Sequence, residues 1–167
     1  GVATAAAMLW LSAYRAGRSP LTRIADFLPL AMIGYAGYEA ACIFRDGCFG
    51  PHTGIGLRPP GVEATMLPIG LFIAVAVATA ALGVRRLASS GAPRAVVIAT
   101  SALSVAVVRA AGSVWLPHIG NGLTRQHLTS IWVGVGTIFL LVGLTVVRVR
   151  GGSGRDRQPT NLPHRSL

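Results

Sequence analysis

The chain has 167 residues, of which 52% are hydrophobic and only 12% charged, a balance that excludes an ordinary soluble core and reads as a polytopic membrane protein. Its fifteen basic residues are all arginine and stand against five acids, for a net charge of +10. These arginines lie mostly in short connections between apolar runs, with no basic, aromatic-interleaved face, so nucleic acid is excluded as a partner.

The apolar periodicity predicts an all-α transmembrane helical bundle of five segments, the first partial: Gly1 to Tyr14, Ile24 to Phe44, Met66 to Val84, Ala95 to Leu116 and Leu128 to Val147. At 1.5 Å per residue the opening run covers about 21 Å, short of a hydrocarbon core of about 30 Å. No basic stretch precedes it and its small residues come before the apolar ones, against the order of a signal peptide. The expectation is that the chain starts inside a helix of something longer. The first connection carries Arg15, Arg18 and Arg23, and the third carries Arg85, Arg86 and Arg94. Beyond the fifth segment come Arg148, Arg150, Arg155, Arg157 and Arg165. The other two connections hold only Arg45, Arg58 and Arg125. The positive-inside rule then puts the first and third connections and the C-terminus in the cytoplasm, and the loops 45–65 and 117–127 outside. Residues 1–147 form the membrane domain in this reading. The Gly-, Pro- and Arg-rich stretch 148–167 is expected to be a disordered basic tail that anchors topology, with an anionic-lipid contact as its alternative. Gly34, Gly37 and Ala41, then Ala74, Ala78 and Ala81, then Gly136 and Gly143 are small residues expected at helix contacts.

Chemistry concentrates where the second segment meets its outer loop, in YEAACIFRDGCFG. Glu39 lies about one turn inside that edge, where a carboxylate needs a cavity or a cation, so it is either a functional acid or half of an ion pair with Arg109 or Arg45. Arg109 sits mid-helix in SVAVVRAAGSVW, with no acid within two turns of its own helix. Its planar fork suits a lipid phosphate; the alternative is an internal pair with a snorkelling stem. Cys42 and Cys48 fall on the oxidising side and could close a disulfide or simply pack at a helix end. No CxxC or Cys/His cluster points to a metal, and His52, His118 and His127 are scattered outer-side residues. The Gly/Pro-punctuated loop RDGCFGPHTGIGLRPPG is of the kind that folds back to shape a pocket. In NGLTRQHLTS the fifth helix is expected to start near Leu128, with Gln126 at the outer mouth.

Together these stretches resemble the C-terminal five helices of the prolipoprotein diacylglyceryl transferase family, whose seven-helix fold has its C-terminus in the cytoplasm. The resemblance runs from Gly1, similar to a glycine of the family's His-Gly-Gly motif, to about Val147. It implies that the catalytic histidine lies just upstream of Gly1. RAGRSPLTRIADFLPLAMIGYAGYE is similar to the family's basic turn, with Asp26 as its aspartate, and to the glycine-bearing helix that leads into the signature. Within the signature, Cys42 falls on the Asn/Cys position, Gly50 on the closing glycine and Glu39 on an essential arginine, a reversal of charge. Pro68 resembles the proline that opens the next helix, while Gly70, Phe72 and Ile73 replace the usual Gln, Tyr and Glu. Arg109 falls on the second essential arginine, with Val105 and Ser113 in place of a Tyr and a Glu. Gln126 and Ser130 match the entrance to the last helix.

The resemblance implies transfer of a diacylglyceryl group from phosphatidylglycerol, or a similar anionic phospholipid, to the lipobox cysteine of a prolipoprotein, without a cofactor. Such an enzyme works in the bacterial plasma membrane, with a phospholipid and a prolipoprotein signal peptide as partners. Arg109 would anchor the phosphate, and Arg45 would stand in for the arginine that Glu39 replaces. The alternative is a non-catalytic relative that binds lipid or lipoprotein, for which Glu39 argues. A small-solute transporter is the weaker third reading, because no pair of broken-helix repeats is visible.

Overall fold

The computed structural model describes residues 2–44, 48–59, 61–116 and 125–152, and only the backbone of residues 2–6, 9, 125, 126 and 147–152. Five helices follow one another: α1 (Val2–Arg15), α2 (Pro20–Ala40), α3 (Ile69–Ser89), α4 (Arg94–Ser113) and α5 (Arg125–Gly152). A 3-10 turn, Ala41–Phe44, prolongs α2, and one short strand, β1 (His52–Leu57), lies between it and α3.

The helix ends follow from local chemistry. Gly17, at φ 59°, closes α1, with its N–H on the Tyr14 carbonyl and the Arg18 N–H on Ala13, both at 3.1 Å. That double closure needs a left-handed residue, which glycine adopts without a Cβ clash. Two residues later Ser19 caps α2, accepting the Thr22 N–H at 3.3 Å, and Pro20 takes the first helical position, where its missing N–H costs nothing. Gly91, at φ 80°, follows the end of α3 in the same left-handed conformation.

These stops lie further out than the apolar runs suggest. Arg23, Arg85, Arg86 and Arg94 belong to helix ends rather than to loops, where long stems reach outward, and Arg85 and Arg86 lie near the C-terminus of α3, where cations favour the helix dipole. The fifth helix begins at Arg125, not near Leu128, and runs to Gly152. Residues 148–152, expected to open a disordered tail, are helical, because nothing before the Gly151–Gly152 pair breaks the turn. The rest of that tail lies outside the described residues.

Four helices are long and apolar enough to cross a membrane: Pro20–Phe44, Ile69–Ser89, Arg94–Ser113 and His127–Val146, each within the described residues. The distribution of side chains agrees. Large apolar groups such as Trp10, Tyr14, Phe72, Trp132 and Phe139 face outward, an arrangement that in water would be one continuous sticky surface. This is an all-α, membrane-embedded protein.

The core runs between α2, α3 and α4 through Ala25, Met32, Ala36, Ile73, Ala74, Val77, Ala81, Val84 and Val97. Most of these are small or β-branched, so the helices approach closely, and packing of this kind holds helices together where lipid removes the hydrophobic incentive. Ala74 and Ala81 are buried as expected, but the glycines differ from expectation. A Cβ on Gly34, Gly37, Gly136 or Gly143 would meet nothing within 4 Å, and Ala41 is exposed. The close approaches fall at Gly50, Gly56, Gly70 and Gly112 instead.

Candidate functional site

Antiparallel succession brings the C-terminal end of α2, the loop before α3, the end of α4 and the start of α5 to one end of the bundle. There the Arg109 Nη1 donates to Glu39 Oε1 at 2.8 Å. Glu39 is 3% exposed, and the pair joins α2 to α4 across seventy positions of chain. A buried charge at that depth is costly without a counter-charge, so each supplies the partner that the other requires. One turn earlier on α2, the Tyr35 hydroxyl also hydrogen-bonds with the Glu39 carboxylate, and the Tyr35 and Tyr38 rings stack with centroids 6.4 Å apart.

Arg109 closes one end of a groove of about 390 Å³ between α2, α4 and α5. Thr129 and Ser130 of α5 line the groove with it, and the remainder is almost wholly apolar, lined by Leu28 and Met32 of α2, Ile98, Ala102, Val105 and Ala106 of α4, and Val133 of α5. On α4 these positions recur every three to four residues from Ile98 to Arg109, so the groove follows that helix for about 16 Å. Ser101 also lines it, but its hydroxyl bonds back to the Val97 carbonyl at 2.7 Å. The result is a slot with one polar, cationic end and a long apolar wall. A cavity of about 400 Å³ between α3 and α4, with Phe72 and Trp115 in its wall, is apolar throughout and offers no reacting group.

One turn beyond Arg109, Ser113 joins α4 to α5. Its hydroxyl donates to the Ala110 carbonyl at 2.8 Å and shares a 2.5 Å hydrogen bond with His127 Nδ1, so it bridges the two helices. In the sequence His127 is one of several scattered histidines, and Ser113 stands only where the resemblance expects a glutamate. Their pairing follows from the crossing of α4 and α5, which no local pattern announces.

The loop before α3 is tied down on both sides. Cys42 and Cys48 form a disulfide, with Cα atoms 5.5 Å apart, which decides between the two expectations for this pair. The Gly50 N–H donates to the Leu67 carbonyl at 2.7 Å, Leu67 to Pro51 at 3.2 Å and Thr53 to Thr65 at 3.0 Å. The expected fold-back of this loop is thus a short antiparallel pairing laid over the start of α3. Glycines permit the contact. A Cβ on Gly70 would sit 2.8 Å from the Glu39 carbonyl and 2.9 Å from Cys42 Cβ, and one on Gly50 would sit 2.8 Å from Ile69 Cγ1.

Of the residues singled out from sequence, Arg109, Glu39, Cys42 and Gly50 therefore gather at this end. Gln126 falls in the first turn of α5, with its side chain outside the described residues, and Arg45 and His118 also lie outside them. His52 begins β1 and is exposed. Tyr35, Ser113, Thr129 and Gly70 were not chosen as site residues. Tyr35 could have been, since it stands four positions before Glu39 and so shares its helix face. Comparison with protein-family models, curated proteins and solved structures finds no match for this chain.

Proposed function

We propose that this chain is a bacterial plasma-membrane protein of the prolipoprotein diacylglyceryl transferase type, which moves the diacylglyceryl group of phosphatidylglycerol or a similar anionic phospholipid onto the lipobox cysteine of a prolipoprotein. The observation that carries the reading is Arg109 at the polar end of an apolar groove. A guanidinium beside two hydroxyl-bearing residues matches a phosphate, and the apolar wall matches an acyl chain. The arginine-rich end and the C-terminus are cytoplasmic in this reading, so the site opens to the outer half of the bilayer.

In the reaction the cysteine sulfur attacks the glyceryl carbon that bears the phosphate ester. The C–S bond forms, the C–O bond breaks, and the electron pair leaves with glycerol phosphate. A base takes the thiol proton, a task that the family resemblance assigns to a histidine. Arg109 binds the phosphate and stabilises the charge that grows on it as it leaves. Glu39, itself hydrogen-bonded by Tyr35, holds the guanidinium in place.

A second reading has its own observation. Glu39 neutralises Arg109 at 2.8 Å at the position where the resemblance expects another cation, which favours a non-catalytic protein that binds lipid or a lipoprotein signal peptide. Rescue of a transferase-depleted bacterial strain separates the two. The full-length protein is expected to restore growth and lipoprotein lipidation, and Arg109→Ala to abolish both. Failure of the wild type, with phosphatidylglycerol still co-purifying, would establish the binding protein instead. Rescue by Arg109→Ala would remove the phosphate anchor.

A further inference from the structure

We propose a second lipid site at the opposite end of the bundle, where α1 and α2 hold the phosphate of an anionic phospholipid between Arg15 and Arg23. A cavity of about 580 Å³ there is lined by Met8, Leu11, Ser12, Arg15, Ala16 and Arg23. The Nε of Arg23 is buried and has no hydrogen-bond partner among the described residues. A buried cationic donor left unmatched is costly, and it points to an acceptor that the described residues do not provide.

The acids among the described residues do not answer it. Asp26, three residues further along α2, lies 3.9 Å from Arg94. Among the described residues no carboxylate pairs with Arg15 or Arg23. The missing acceptor must therefore come from outside this part of the chain.

The shape of the cavity selects a lipid over a free anion. Its α1 residues, at positions 8, 11, 12, 15 and 16, share one helical face. Met8 lies about 10 Å along the axis from Arg15, and Met8 and Leu11 are 65% and 43% exposed. The cationic end thus continues into an open apolar strip running toward the membrane interior, matched to a phosphate with an acyl chain attached. Gly17 and the Ser19 cap hold the two helices at this spacing, so the arginines are brought together by the connection itself. The site is about a helix length from Arg109, and it stands whether or not the chain is a transferase.

The test counts lipids that stay bound to the full-length protein after delipidation, by native mass spectrometry, with phosphatidylglycerol or phosphatidylcholine added back. It is done in an Arg109→Gln background so that the other groove does not contribute. One phosphatidylglycerol is expected to be retained at least tenfold more tightly than phosphatidylcholine. Arg15→Gln with Arg23→Gln should abolish that preference, while Arg23→Lys, which keeps the charge, should retain part of it. Thermal melting in phosphatidylcholine checks that each variant is folded. Equal retention of the two lipids, an unchanged preference in the double variant, or displacement of the lipid by millimolar inorganic phosphate would each overturn the proposal.

Discussion

Glu39 on α2 and Arg109 on α4 hold each other at 2.8 Å inside the membrane region, with the carboxylate side chain only 4% exposed and the guanidinium 22%. Both charges were candidates for a ligand when considered singly, and together they satisfy one another. The pair therefore fixes helix geometry at the site as well as setting its electrostatics.

Removing one partner should be worse than removing both. Arg109→Ala leaves a buried carboxylate uncompensated, a change that costs about 3–5 kcal/mol in buried pairs. Glu39→Gln combined with Arg109→Gln removes both charges and is expected to recover most of that loss. Unfolding in mixed detergent micelles measures the difference. Equal destabilisation by the single and double variants would show that the pair contributes no coupling.

The Cys42–Cys48 bridge closes a loop with a sequence separation of 6. Chain-entropy bookkeeping for so short a loop gives about 2 kcal/mol. Cys48→Ser is expected to lower the melting temperature, and neither thiol should react with maleimide until a reductant is added. Labelling of the untreated protein, purified from an oxidising compartment, would contradict the bridge.

Glycine substitutions should separate tight from open helix faces. Gly70→Ala drives a methyl against the Glu39 carbonyl and Cys42, and neither can swing aside, so a loss of about 1–3 kcal/mol is expected from overpacking. Gly34→Ala meets nothing within 4 Å and should be neutral or stabilising by up to about 1 kcal/mol, the ordinary helix propensity gain. Thermal melts of the two variants should therefore move in different directions. Similar losses in both would mean that Gly34 also faces a close neighbour.

Orientation is open to direct labelling. In a form whose native cysteines are replaced, a single cysteine at Thr53, between α2 and α3, should react with an impermeant thiol reagent in intact cells. One at Ser90, between α3 and α4, should react only after the membrane is opened. The reverse pattern would invert the assignment made from arginine placement.

Much of the fold was legible in the sequence because its signals are local. Each spanning segment announces itself by continuous apolarity, and the arginines gather at alternate connections whatever the helices do in space. The boundaries were less legible, since α3 runs to Ser89, five residues beyond the expected end at Val84. The strand at His52–Leu57 also went unseen, because Gly54 and Gly56 within it read as loop punctuation and its partner is only the short stretch around Met66.

The sequence by itself determined that the chain lives in a membrane, roughly where it crosses, and that Glu39 and Arg109 were too costly at their depth to be idle. Only the tertiary structure decided that they answer each other, that Ser113 orients His127, and that Gly70 and Gly112 rather than Gly34 and Gly136 let the helices close up. The reason is that burial cost belongs to one residue and its surrounding medium, and so can be read position by position. Partnership depends on the angle and offset at which two helices cross, which is set by all of their packed side chains at once.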